Sequence, residues 1–292
     1  MIYRLISKIA ALSKISLFLF FIFLSNFGNA QSTLKEEIFF YGDVMLNAMD
    51  DANRVKAGEK FNSLFYEYVE QNPQDSLGWL KWVSIQAPDD NAFRIITWEL
   101  KKDEDNFAYF GYLQLQNGKG FVLEEEASDY KDVEFESRGK EDWLGAVYYN
   151  ILKVNETDYI LFGKNQLDKF ENLKIAEVLS LEEEDPIFGK EIFQKGADTK
   201  SRLVLRYADD ASVSLNYNTS LGLIIFDHLI ARMGRIEGQG STFLPDGSYE
   251  GYVPQDGLWM YKEKLYDHVF EEAPRPNPVL DKKQKNIFGK QN

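Results

Sequence analysis

From Leu34 to Gln71 the apolar positions recur at helical spacing: Ile38, Met45 and Met49 with Phe39 and Leu46 make one stripe, and Phe61, Leu64, Phe65 and Tyr68 make a second. The pattern predicts two helices, each with one apolar face. An isolated pair of this length is marginal in water, so the stripes are expected to pack on each other or on the domain that follows. "NPQDS" (72–76) ends the helical part, because proline disfavours helix at the residue before it and the polar cluster is loop-like.

From Leu77 onward the pattern shifts to short runs of β-branched and aromatic residues separated by turn chemistry. "WLKWVSIQ" (79–86), "FRIITWEL" (93–100), "FAYFGYLQLQ" (107–116) and "FVLEEE" (121–126) open the series. Asn117-Gly118 is a strong hairpin signal between the last two of these. "DYILFG", "LKIAEVLSL", "PIFGKEIF", "RLVLRY", "SVSLNY" and "LGLIIFDHL" continue it. In "SVSLNY" Val213, Leu215 and Tyr217 fall on one face and Ser212, Ser214 and Asn216 on the other, as in a strand half in water. "LDKFENLKIAEV" (167–178) can begin as a helical turn before it becomes strand. The result is roughly a dozen strands at the spacing of an antiparallel sandwich or barrel. The predicted fold is therefore mainly β: a large antiparallel sandwich or barrel at 77–271, preceded by a helical pair at 31–72.

The ends of the chain add a location. Arg4, Lys8 and Lys14 precede the 10-residue apolar run "ISLFLFFIFL", and small residues lead up to Ala30. This is the layout of a secretory signal peptide at 1–30, and the run is shorter than the roughly 20 residues a membrane-spanning helix needs. The expected mature protein has no transmembrane span. Three prolines crowd "APRPNP" and a basic stretch follows, so 272–292 reads as a flexible tail. Cleavage would shift the formal net charge from −14 to −17 over the remaining 262 residues. Such a surface repels nucleic acid.

Cysteine is absent, which removes disulfides, thiolate ligands and a cysteine nucleophile together. The chain has two histidines, in "IIFDHL" and "KLYDHV", each directly after an aspartate. Adjacent side chains in a strand point to opposite faces, so Asp227 and His228 do not form a dyad with each other; a carboxylate would have to come from another strand. Two histidines 40 residues apart share no metal-motif spacing, and neither a nucleophile elbow nor a phosphate-binding loop occurs. No metal or other cofactor is implied. "KDEDN" (102–106) has oxygen ligands of the kind calcium takes but lacks an EF-hand's glycine and distant glutamate. With "LEEEDP" and "ADDAS" it reads as a charged loop that discourages sheet-to-sheet association.

The most turn-dense stretch is "FLPDGSYEGYVPQDGLWMYKE" (243–263), where Pro245-Asp246-Gly247 and Gln255-Asp256-Gly257 flank Tyr249, Tyr252, Trp259 and Tyr261. Aromatics beside hairpin turns close the end of a β core; displayed on loops, they stack on sugar rings or grip a peptide. These four, with His228, are the candidate ligand-binding residues. The succession "YFGYLQLQ", "YILFGKN", "KIAEVLSL", "PIFGKEIF", "LVLRYADDASVSLNY" and "PDGSYEGY" resembles a group of exported proteins from Bacteroidetes with no known activity. The resemblance runs from about Leu77 to Glu263 and implies a Gram-negative setting, hence periplasm or cell exterior. The reading is a non-enzymatic binding or structural protein of the periplasm or cell envelope, with a carbohydrate, a peptide or an envelope protein as partner. The competing reading is a carboxylate-dependent hydrolase of polysaccharide or peptide, since that chemistry needs only two acids about 5 to 9 Å apart.

Overall fold

Two helices do form at the N-terminus, and what fixes them is the sheet beneath. The computed structural model describes residues 33–125, 130, 132–234 and 240–265. The predicted leader at 1–30, the tail at 272–292 and the second histidine, His268, lie outside the described residues. Helix α1 covers 33–47 and α2 covers Asp51–Gln71. Asp50 caps α2 by accepting from the Asn53 N–H at 2.9 Å, and Asp51 places negative charge at the positive end of the helix dipole. All four residues of the second predicted stripe are buried. The first stripe is narrower than its periodicity suggests: Ile38 and Met45 are buried, but Phe39, Leu46 and Met49 are exposed. Helix α1 ends before Met49, so that residue never joins the face.

The β region is three stacked sheets with no closed barrel. The first has the order β1 (Ser84–Gln86), β2 (Phe93–Lys101), β3 (Phe107–Leu115), β4 (Gly120–Glu124). The second comprises β5 (Val147–Lys153), β6 (Asp158–Gln166), β7 (Glu171–Ser180) and β11 (Arg202–Ala208), with the short β8 (Ile187–Phe188) beside β7. The third has six strands: β10 (Asp198–Lys200), β9 (Phe193–Lys195), β15 (Leu258–Lys262), β14 (Thr242–Gln255), β13 (Leu223–Arg232) and β12 (Leu215–Asn218). Among the strands named here pairing is antiparallel except between β15 and β9.

Strand alternation builds the stack. On β2, Ile96, Trp98 and Leu100 face the helices, while Phe93 and Ile95 face the second sheet. On β6 and β7, Leu161 and Ile175 face the first sheet, while Phe162 and Val178 face the third. The second sheet is thus covered on both sides, which is why its strands read as continuous apolar runs. Phe61 and Phe65 stack at 5.5 Å and meet the Trp98 indole edge-on, joining α2 to the first sheet.

Several boundaries differ from the pattern. "WLKWVSIQ" contributes only its last three residues to a strand, because Trp79, Leu80 and Trp82 fold back through turns to pack against the helices. Leu167–Phe170 is a hairpin turn closed by Asp168, whose carboxylate accepts from the Phe170 N–H at 2.7 Å, and no helical turn forms there. Asn117-Gly118 sits in a four-residue connection between β3 and β4 rather than a two-residue one. Pro245-Asp246-Gly247, read as a turn, lies inside the 14-residue β14. There the register slips between Asp227 and Leu229, and Gly247 takes φ +88°. This is a bulge, one of the few places in a sheet where proline is tolerated. Asp256-Gly257 is the hairpin turn expected, with φ +51° and +82° joining Gln255 to its partner Leu258.

Between the first two sheets lies a buried ion pair. Arg202 and Glu177 stand directly opposite on β11 and β7, each fully buried, with Nε to Oε2 at 3.0 Å. Arg202 also donates to the carbonyls of Val133 and, at 3.0 Å, Phe188, and Tyr148 donates to Glu177. Trp143 Nε1 donates to the Tyr148 hydroxyl at 2.8 Å. Arg202→Met, which strands a buried carboxylate, is expected to cost about 3–5 kcal/mol. The double variant Arg202→Met with Glu177→Leu should recover most of it. Urea unfolding followed by tryptophan fluorescence checks both, as a fall and then a recovery of the midpoint at constant slope.

Candidate functional site

The structure answers whether a carboxylate reaches His228. The bulge in β14 turns Asp246 toward β13, and His228 Nδ1 donates to Asp246 Oδ2 at 2.9 Å. The other ring nitrogen, Nε2, faces Glu250 Oε1 at 3.9 Å, and that oxygen accepts from the Tyr261 hydroxyl at 2.5 Å. Lys195 Nζ sits 3.8 Å from the centre of the Tyr261 ring. Bonds from Ser248 hold the Asp246 carboxyl at about 2, against the opposing effect of burial and with help from His228. The Ser248 hydroxyl donates to Asp246 at 2.7 Å, so the serine is bound to the acid of the pair and not to its imidazole. The order needed for nucleophile activation, serine to histidine to acid, is not made by these three residues.

The candidate aromatics separate by burial. Tyr249, Tyr252 and Trp259 are 6%, 2% and 5% exposed. Tyr252 and Trp259 belong to the core between the second and third sheets, packed with Phe193, Phe226 and Tyr217. These rings seal the sheet face. Tyr261 and His228 are half-exposed, so only these two of the five candidates present surface to a ligand.

A cleft of about 340 Å³ at one end of the first sheet is lined by Tyr66, Phe110, Glu124 and Glu125 among others. Burial raises the pKa of the Glu125 carboxyl, whose Oε2 accepts from the Tyr109 N–H at 2.8 Å. Glu124 ends β4 and Glu125 follows it in extended backbone, so the two acids take opposite faces. Glu124 acts electrostatically on Tyr66, on the helix side, whereas Glu125 lies against Gly145 on the side of the second sheet. They do not face each other across the cleft as a glycosidase pair would.

The opposite end of the same sheet has a different chemistry. There the loop after α2, the β1–β2 turn and the β3–β4 connection meet around a cleft of about 250 Å³. Its polar lining is Arg94, Gln114, Gln74, Asn91 and Gln116, and no acidic side chain lines it among the described residues. Arg94 and Gln114 are cross-strand partners on β2 and β3. Arg94 Nε donates to Gln114 Oε1 at 2.7 Å, Nη1 to the Asp75 carbonyl at 2.5 Å and Nη2 to the Pro73 carbonyl at 3.2 Å. A guanidinium only donates, so the Gln114 oxygen must face it, and Gln114 Nε2 is left buried without a partner. Arg94 has three neutral acceptors and no ion pair among the described residues, and burial pushes its pKa down.

The loop that holds Arg94 is itself braced by a charge pair. Asp75 Oδ2 accepts from Lys35 at 2.7 Å and from Tyr68, and its Oδ1 accepts from the Leu77 N–H at 2.9 Å. Burial raises the pKa of the Asp75 carboxyl, but the bonds from Lys35, Tyr68 and Leu77 overcome this and hold it at about 2. Lys35 of α1 thus holds the Asp75 carboxylate, which acts on Arg94 only through the longer-range attraction of its charge and makes no ion-pair contact with it. The periodicity did not single out this site, although a signal is present. Arg94 shares its strand face with Ile96, Trp98 and Leu100, where a cation is out of place.

The depressed Asp75 pKa gives a signed pH dependence. Its contribution to stability is complete above the unfolded value of about 3.9 and falls as pH drops toward 2. Asp75→Asn is therefore expected to be less stable than the wild type at pH 7, with the gap narrowing below about pH 4. Urea midpoints measured from pH 7 down to pH 3 test this, and a gap that widens on acidification contradicts it. Comparison of the chain with protein families, curated proteins and solved structures found no match.

Proposed function

We propose that the chain is an exported binding protein of the periplasm or cell envelope, and that the Arg94 cleft is where its ligand is held. The observation that carries this reading is a half-buried guanidinium fixed by three neutral acceptors, beside a buried amide nitrogen with no partner. A desolvated cation and an unsatisfied donor are each costly, and a ligand that accepts from both relieves both costs. Fixed backbone and side-chain contacts around Arg94 mean little reorganisation on binding. Export rests on the leader-like first 30 residues. Among the described residues no helix is long and apolar enough to cross a membrane.

A carboxylate-dependent hydrolase is the second reading, favoured by the raised Glu125 pKa in an aromatic-lined cleft. The divergent faces of Glu124 and Glu125 weigh against it. Turnover of a polysaccharide or peptide substrate that Glu125→Gln abolishes would support the hydrolase.

For the binding protein, small anions should raise the melting temperature of the full chain at low salt, because a ligand bound only by the folded state stabilises it. Arg94→Lys keeps the charge but loses the planar fork, and is expected to weaken binding about tenfold, or about 1.4 kcal/mol. Titration calorimetry reads the difference. Equal affinity in the two proteins would place the ligand elsewhere.

A further inference from the structure

We infer that the ligand group recognised at the Arg94 cleft is a carboxylate on a hydroxyl-bearing ring, as in a uronic-acid sugar; this rests on the binding reading above. Three features select it. First, both polar groups at the centre of the site are planar: the half-buried guanidinium of Arg94 and the buried primary amide of Gln114, joined edge to edge at 2.7 Å. Two of the five guanidinium N–H groups and both N–H groups of Gln114 Nε2 have no partner among the described residues. A carboxylate, planar with two acceptor oxygens, matches such forks.

Second, the charge of the whole chain discriminates among anions. At a formal net charge of −14, the surrounding field penalises a dianion more than a monoanion. Phosphate, tetrahedral and partly dianionic at neutral pH, loses on charge and on shape. The site offers one cation, Arg94, with Lys35 already bound to Asp75.

Third, the rest of the lining is neutral and two-handed. Gln74, Asn91 and Gln116 each carry one acceptor and two donors and are exposed, the complement of a ring with several hydroxyls. The cleft lies at the end of the first sheet, across the connections of β1–β2 and β3–β4, and not along an open strand edge, so a peptide cannot dock there by extending the ladder. A volume of about 250 Å³ is below the usual range of about 300–1,000 Å³ for small-molecule pockets, and suits one sugar unit or a chain end.

The test uses the full chain with four probes at low salt: glucuronate, glucose, acetate and inorganic phosphate, read by calorimetry and by the Arg94 side-chain resonance. Gln114→Glu is the informative variant, because it is nearly isosteric and places a permanent carboxylate 2.7 Å from Arg94 Nε. It should keep the fold, leave the melting temperature equal or higher, and abolish binding. The expected result is glucuronate at least tenfold tighter than acetate, glucose or phosphate, with all glucuronate binding lost in Gln114→Glu. Acetate equal to glucuronate, with both lost in the variant, overturns the sugar and leaves the Arg94 binding reading intact. Phosphate tightest overturns the carboxylate. No response of Arg94 to any probe, or glucuronate binding unchanged in Gln114→Glu, overturns the inference and the cleft together.

Discussion

The rest of the structure depends on the ion pair of Glu177 and Arg202. A sheet covered on both faces has no solvent for a charged side chain, so two charges opposite each other at 0% exposure require every remaining polar atom nearby to find a partner. Those partners come from far along the chain. Arg202 reaches the carbonyls of Val133 and Phe188, and Glu177 accepts from Tyr148, which is in turn held by Trp143. Burial, reinforced by the Glu177 charge, pushes the Tyr148 phenol well above its usual range, so it stays a neutral donor. The segment between the first and second sheets is thereby tied to the edge of the second, with Ser201 N–H on the Glu134 carbonyl and Ser137 on Gly189. In a chain without cysteine, these long-range polar ties do the stapling that disulfides do in many small domains.

Stacking three sheets behind a helical layer has a consequence for where chemistry can reside. The second sheet buries both faces, and Tyr252 and Trp259 of the turn-rich stretch close the third sheet over it, as aromatics beside hairpin turns do. Surface for a ligand is left at the ends of the first sheet and along the far end of β13 and β14. At one end of the first sheet the helices contribute more than packing: Lys35 on α1 and Tyr68 on α2 both hold Asp75, and the backbone of that loop holds Arg94. The layer that stabilises the sheet also sets the electrostatics of the cleft.

The helices, most strands and the mainly antiparallel order were legible because side-chain alternation and helical periodicity respond to one burial direction per element, whereas β14 and β15 were hidden in a turn-dense stretch. The limits appeared where two neighbours compete for one segment. Trp79 and Trp82 read as strand residues, yet they pack on the helices through turns. Pro245-Asp246-Gly247 carries turn chemistry, but a long partner strand absorbed it as a bulge, and that slip is what brings Asp246 to His228. Adjacency did correctly separate Asp227 from His228; which carboxylate replaces it depended on register, which the sequence does not print.

Composition and pattern by themselves determined the cysteine-free chemistry, the helical start and the change to β structure near Leu77, since each follows from residue type and local spacing. Only the tertiary structure decided that Arg94 would have no carboxylate in ion-pair contact among the described residues, in a chain with 47 acids. Pairing of charges is a matter of distances between elements: Lys35 reaches Asp75 from another helix, and Gln114 meets Arg94 across a hairpin. That juxtaposition arises from packing two helices and three connections at one sheet end, and no spacing along the chain encodes it.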